Sequence, residues 1–320
     1  MTVGAMGAAM WLGRNAPITV PPPPEVPSEP RALERYLAEH EAAVSRLRPQ
    51  LAKTVRWAEP SRPARTPVSV VYLHGYAGSH YELDPVCARL ARGWGANVFY
   101  TRLAGHGRDG AAMAEVGMAD WLHDAREALA VGQRLGERVV VVGTSTGGTL
   151  AAWLAANVDQ TGVAGYHLIS PNFGPRHPLA ELLLLPGAET WSTWIHGPVH
   201  RFNPVTEDHA RYATAEFPTP ALIPMMRLVA RVRALDLGRA CRPVQVLYCP
   251  RDRVVAPSTI RAAYQRLGGP RKELLAVEDP GDPALHLLAG DLLSPGTNRQ
   301  VVEAMRAFMD PVVSETAAPA

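Results

Sequence analysis

Residues 139–142 are four consecutive valines, residues 143–148 read Gly-Thr-Ser-Thr-Gly-Gly, and residues 149–156 form an alanine-rich run. A β-branched run, a glycine-bracketed corner and a helix-forming stretch in that order impose strand, tight turn, helix. A Gly-x-Ser-x-Gly turn in this setting is a nucleophile elbow, which puts the serine on a strained corner with its hydroxyl exposed above the sheet. Ser145 is therefore the first candidate for covalent chemistry. Gly143 and Gly147 fit because side chains there would collide with the neighbouring strand and helix backbones. No lysine follows the glycines, which disfavours a Walker-type phosphate cradle.

Six further apolar runs at 54–57, 68–73, 97–101, 165–170, 244–249 and 273–277 read as strands like the one at 139–143, separated by helix-length stretches. Strands apolar throughout imply a mostly parallel sheet with helices on both faces, an α/β fold. Residues 171–243 are far more than one crossover helix needs, so 172–240 is expected to be a cap inserted between a first core part, 31–171, and a second, 241–311. Most of the insertion's large apolar side chains should form its own small core. Trp191, Trp194 and Met225 are the candidates for lining a substrate pocket, together with Tyr76 from the core.

A serine hydroxyl is a weak nucleophile until a base takes its proton and an acid fixes that base. Of the 11 histidines, His286 follows the last strand in the loop 279–286 before a closing helix, which makes it the best base. His74 and His106 lie in loops at the same edge and compete with it. Asp252, just past the strand at 244–249, is the expected acid. Asp279, Asp282 and Asp291 are nearer to His286 in sequence, but suit turns, caps or solvated charge equally well.

Five segments come in a fixed order: His74-Gly75-Tyr76-Ala77-Gly78-Ser79, Gly105-His106-Gly107, the elbow, Arg251-Asp252-Arg253-Val254-Val255, and His286. Across residues 66–310 the chain thereby resembles α/β-hydrolases of the carboxylesterase and monoacylglycerol-lipase type. The resemblance implies the α/β-hydrolase fold with a helical cap, a Ser145–His286–Asp252 triad, and an oxyanion hole made by the N–H groups of Tyr76 and Thr146. It makes His74 and His106 structural. It also implies a serine hydrolase that cleaves carboxylic esters with short to medium acyl chains, or monoacylglycerol-like esters, through an acyl-enzyme. Epoxide hydrolases and haloalkane dehalogenases share the architecture but use Asp in place of Ser145. Thioesterase, acyltransferase and carbon–carbon hydrolase chemistry, or a non-catalytic binding role, stay open on the same fold.

Composition narrows the partners. The formal charge is +2 over 320 residues without any block of Lys or Arg, so neither nucleic acid nor a strongly anionic membrane is called for. No metal-ligand cluster or dinucleotide fingerprint implies a cofactor, and the expected partner is a small-molecule ester. No feature specifies an oligomer. Cys87, Cys241 and Cys249 are odd in number and widely spaced, which points to a reducing compartment and a cytoplasmic location. The apolar stretch 6–12 is too short to span a bilayer, though it offers an alternative, membrane association through the N-terminus. The proline cluster at 21–24 makes 1–30 an expected flexible segment. Residues 31–48 carry apolar side chains at helical spacing, which predicts an amphipathic helix docked on the domain, and 312–320 is expected to be a flexible tail.

Overall fold

The four valines sit at the centre of a seven-stranded sheet and divide between its faces. In the computed structural model, which describes residue 20 and residues 22–314, all four are fully buried. Val139 and Val141 join one apolar core with Trp121 and Leu150, and Val140 and Val142 join the other with Leu90 and Met305. Burying each such side chain contributes roughly 1.5–3 kcal/mol, so both faces must be covered by helices.

The chain opens with α1 (Pro30–Ala42), β1 (Thr54–Arg56), β2 (Thr66–Leu73), α2 (Asp84–Trp94) and β3 (Asn97–Tyr100). It continues through α3 (Met118–Leu135), β4 (Gly136–Thr144), α4 (Thr146–Asn157) and β5 (Val163–Ile169). After α5 (Ala188–His196), β6 (Val199–Arg201), α6 (Glu207–Tyr212), β7 (Glu216–Pro218) and α7 (Leu222–Ala234), it returns to the sheet with β8 (Val244–Tyr248). The last elements are α8 (Pro257–Arg266), β9 (Lys272–Ala276) and α9 (Asn298–Ser314). The sheet order is β1-β3-β2-β4-β5-β8-β9, with β1 antiparallel to β3 and every other pairing parallel. This is the α/β-hydrolase architecture. It brings the carboxyl ends of β2, β4, β5, β8 and β9 to one edge, where ligands bind in open α/β sheets.

Helix α1 is set by Pro30 in its first turn and by Glu29, whose carboxylate accepts the N–H groups of Arg31 at 3.0 Å and Ala32 at 2.7 Å. It stops at Ala42, not at residue 48. Val44 and Leu47 keep the helical spacing, but Arg46 takes a left-handed φ of 57° that no helix continues through. Glu41, in the last turn, is buried where it pairs with Arg102 at 2.7 Å.

The described chain is attached to the core near both of its ends. Before α1 the chain is fastened to the core: Val26 is buried, and Arg134 Nε donates to its carbonyl at 2.9 Å. Residues 312–314 belong to α9, which carries the apolar face of that helix to its end. The apolar stretch 6–12 and the tail beyond 314 lie outside the described residues. Among the described residues no helix is long and apolar enough to cross a membrane.

Between β5 and β8 the chain holds helices and also an antiparallel ribbon, β6 with β7, braced by Arg201 on Glu216 at 2.7 Å. Helix α7 buries Ile223, Met226 and Val229 in the same core as Leu150 of α4.

Candidate active site

Ser145 begins the turn at the end of β4, and its backbone carries the strain that the sequence implied. Its φ of 53° and ψ of −113° are unfavourable for a residue with a Cβ. The corner is possible because two glycines let backbones touch. A Cβ on Gly143 would stand 2.3 Å from the carbonyl oxygen of Gly147, and one on Gly147 would stand 2.0 Å from that of Leu73. The Ser145 N–H donates to Ile169 at 2.9 Å, and its carbonyl accepts the N–H of Asn172 at 3.0 Å and of Thr149 at 3.0 Å. Strand β5 and the first turn of α4 thus hold the corner from both sides.

Asp252 and His286 meet from the ends of β8 and β9. His286 Nδ1 donates to Asp252 Oδ2 at 2.7 Å, with Asp252 fully buried. The other oxygen, Oδ1, accepts the N–H groups of Val254 at 2.7 Å and Val255 at 2.9 Å, which fixes the carboxylate's orientation. His286 is placed by its own main chain as well. Its N–H donates to Asp282 Oδ2 at 3.0 Å, and Ser170 Oγ donates to its carbonyl at 2.7 Å. Burial opposes charge on the imidazole, but the hydrogen bond and charge of Asp252, with Asp282 and Glu82 behind, outweigh it and raise the pKa.

The three acids nearer to His286 in sequence are engaged elsewhere. Asp279 is exposed and pairs with Arg251, Asp282 collects backbone N–H groups, and Asp291 accepts Asn298 Nδ2 at 2.6 Å.

The loop after β2 faces this group. Gly75 N–H donates to Glu82 Oε2 at 2.8 Å, Ala77 N–H to His106 Nε2 at 3.1 Å, and Gly78 N–H to the Gly75 carbonyl at 3.2 Å. Among the described residues no hydrogen bond takes the Tyr76 N–H that lies between them. The Thr146 N–H is the first of α4, where helical N–H groups lack intrahelical partners. His74 and His106 are loop fasteners. Each accepts a backbone N–H at Nε2, from Leu103 at 3.0 Å and from Ala77, and each donates at Nδ1 to a carbonyl. Burial holds both imidazoles neutral, with His106 pushed down to about 4.

The four pocket candidates fare differently. The Tyr76 ring is edge-on to His106, Trp121 and Phe217, and its hydroxyl donates to the Ala221 carbonyl at 2.8 Å. Met225 is buried one residue from the corner, because Asn172 holds Ser145 by its N–H and donates from Nδ2 to Met225 Sδ at 3.2 Å. Trp191 packs half-buried on the main core, whereas Trp194 is 82% exposed and in solvent. Glu82, Ser170 and Asn172 escape sequence reasoning altogether. Each lies outside the recognisable motifs, and nothing in the neighbouring sequence marks it. Among the described residues no group of His, Cys, Asp and Glu is arranged to hold a metal ion, and the three cysteines are free.

Fold and site together define an α/β-hydrolase with an elbow serine and a buried Asp–His pair at the same edge of the sheet. The family described as serine aminopeptidase, S33 (Hydrolase_4) matches residues 65–280, and the chain belongs to this serine hydrolase family. It is 25% identical over 232 residues to a thermostable monoacylglycerol lipase of Bacillus sp. (strain H-257), covering 69% of this chain and 85% of that one. Among solved structures it is similar to one from the work on LipS and LipT, two metagenome-derived lipolytic enzymes, with a TM-score of 0.67 at 22% identity, over 83% of this chain and 99% of that one. The monoacylglycerol lipase of Paleococcus ferrophilus follows, with a TM-score of 0.60 at 15% identity and the same coverage of both chains. At these identities the structural likeness speaks for the fold alone.

Proposed function

We propose that this chain is a carboxylic ester hydrolase in which Ser145, His286 and Asp252 form the triad. The observation that carries this reading is the His286–Asp252 hydrogen bond of 2.7 Å at the edge where β4 turns at Ser145. Asp252 holds the ring in the tautomer that leaves Nε2 free as a base. Ser145 Oγ attacks the ester carbonyl carbon, and its proton passes to His286 Nε2. The carbonyl oxygen becomes an oxyanion that accepts the N–H groups of Tyr76 and Thr146. Collapse of the tetrahedral intermediate breaks the bond to the alcohol oxygen, which leaves with the proton from His286. Water then repeats the sequence on the acyl-enzyme, releasing the acid and restoring Ser145.

Residues 172–240 serve as the cap, with Met225, Trp191 and the Tyr76 ring as contacts for the acyl chain. An apolar enclosure suits an uncharged ester of short to medium acyl length or a monoacylglycerol, and the Bacillus monoacylglycerol lipase is the relative that supports this class. The deciding experiment is fluorophosphonate labelling with Ser145→Ala as control, run beside hydrolysis of p-nitrophenyl esters of two to twelve carbons. Labelling and turnover should both vanish in the variant, with a loss on the order of 10⁴ or more in kcat. Activity within tenfold of wild type would sink the serine mechanism. Cleavage of acyl-CoA or of a vinylogous diketone, with every ester left intact, would move the activity to a thioesterase or a carbon–carbon hydrolase.

A further inference from the structure

Glu82 carries a buried carboxyl group at the candidate active site that the reaction above does not use. Resting on that assignment of Ser145, His286, Tyr76 and Thr146, we infer that Glu82 is a positioning residue that ties the oxyanion loop to the nucleophile's strand.

The tie is a chain of hydrogen bonds across neighbouring strands. Tyr72 Oη, on β2, lies 3.2 Å from Glu82 Oε2 and 3.1 Å from Thr144 Oγ1 on β4. A phenol has one proton to give, and the carboxylate is the stronger acceptor, so Tyr72 donates to Glu82 and accepts from Thr144. The same Oε2 accepts the Gly75 N–H at 2.8 Å. Thr144 immediately precedes Ser145, and Gly75 immediately precedes Tyr76. The chain therefore ends one residue short of the nucleophile on one side and of an oxyanion donor on the other. A misplacement of about 1 Å at such a site costs on the order of 10²-fold, which is the kind of error this link suppresses.

Two close approaches show that the loops are built around Glu82. A Cβ on Gly78 would stand 1.7 Å from Glu82 Oε1, and one on Gly290, four residues past His286, would stand 1.8 Å from the Glu82 carbonyl oxygen. Both the oxyanion loop and the histidine loop leave side-chain space empty at this residue.

The charge follows from the surroundings. Burial pushes the Glu82 carboxyl up to about 7, against the pull of the Gly75 N–H, the Tyr72 hydroxyl and His286. The titratable groups facing it are Tyr72 of β2 and His286 of the loop after β9. His209 and Tyr212 of α6 line with it a cavity of about 40 Å³, and His80 and Asp84 flank it on its own segment. Once ionised, Glu82 holds Gly75 by a charge-assisted bond and favours the imidazolium form of His286.

The test is kcat and KM for p-nitrophenyl butyrate from pH 5 to 9 on E82A, E82Q and Y72F, with S145A alongside. E82A should lower kcat roughly 10- to 100-fold while KM stays within about threefold. E82Q keeps an acceptor for Gly75 and deletes the charge. It should lose less kcat, and the acidic limb of its profile should move to lower pH by a few tenths of a unit or more. Folded E82A and E82Q proteins with wild-type kcat and an unmoved limb would overturn the proposal. If neither folds, Y72F decides, because it keeps the ring and removes only the link. A several-fold lower kcat at unchanged KM supports the link, and wild-type kinetics overturn it. An inactive S145A beside unaltered Glu82 and Tyr72 variants would remove this inference alone, whereas an active S145A would remove the triad as well.

Discussion

Asp282 holds His286 by the main chain and leaves the ring to another acid. Its Oδ2 accepts the His286 N–H at 3.0 Å and the Leu287 N–H at 2.8 Å, while Oδ1 accepts Ala284 N–H at 2.9 Å. Leu285 between them takes a left-handed φ of 55°, so the carboxylate is what keeps this turn wound. Asp282 shapes the loop, and Asp252 fixes the imidazole.

This division separates two variants. Asp252→Asn presents the wrong hydrogen-bond partner to Nδ1 and should cost about 10⁴ in kcat with the fold kept. Asp282→Ala strands three backbone donors, each worth about 1.5–3 kcal/mol when bound to a charged acceptor, and should lower thermal stability together with a smaller loss of kcat. Steady-state kinetics and thermal melts on both proteins check this. The reverse pattern would transfer the acid's role to Asp282.

The pH dependence has a definite sign. Only neutral imidazole takes the serine's proton, so kcat/KM should rise with pH as His286 deprotonates. Burial opposes charge on that ring, but Asp252, Asp282 and Glu82 together raise its pKa, so the half-maximum should lie above the ordinary histidine value near ~6.5. In Asp252→Asn the largest of these three influences is gone. The residual activity should then rise at lower pH, and a limb that stays in place would identify another ionisation.

His106 supplies a contrasting case. Its Nε2 must stay unprotonated to accept the Ala77 N–H, and burial holds its pKa down to about 4. The residue should therefore contribute no ionisation to a profile taken from pH 5 to 9. His106→Ala should reduce kcat by loosening the loop around Tyr76, with the acidic limb unmoved. A shifted limb in that variant would mean that the His106 ring titrates within the assay range.

The inner strands β2, β3, β4, β5 and β8 are legible in the sequence because each is an apolar run that the fold largely buries, and the edge strands β1 and β9 read as strands from shorter apolar runs although neither is fully buried. The β6–β7 ribbon is not, since its two strands are three residues each and carry Arg201 and Glu216, whose pairing exists only after folding. The end of α1 is hidden for a different reason. Val44 and Leu47 continue its periodicity, and nothing local announces the turn at Arg46. Ser145, Asp252 and His286 stand out because each follows a strand end in a recognisable order. Glu82 has no such signal: its carboxylate is bonded by Tyr72 of β2 and by Gly75 of the following loop, and only the fold collects them. Sequence also names aromatic residues in the insertion without saying which face inward, as the exposed Trp194 shows.

The acyl-chain preference should respond to Met225. Asn172 donates its N–H to the Ser145 carbonyl and its side-chain amide to Met225 Sδ, so the thioether lies one residue from the reacting serine and is buried there. Met225→Ala removes most of that side chain and opens space in which further methylenes of the substrate can be buried, each contributing up to about 0.8 kcal/mol. The maximum in kcat/KM across p-nitrophenyl esters of two to twelve carbons should therefore move to longer chains. Met225→Trp fills the same space and should move it to shorter ones, with kcat for the acetate ester least affected because that acyl group does not reach the side chain. An optimum that stays fixed in both variants would place the acyl chain away from α7.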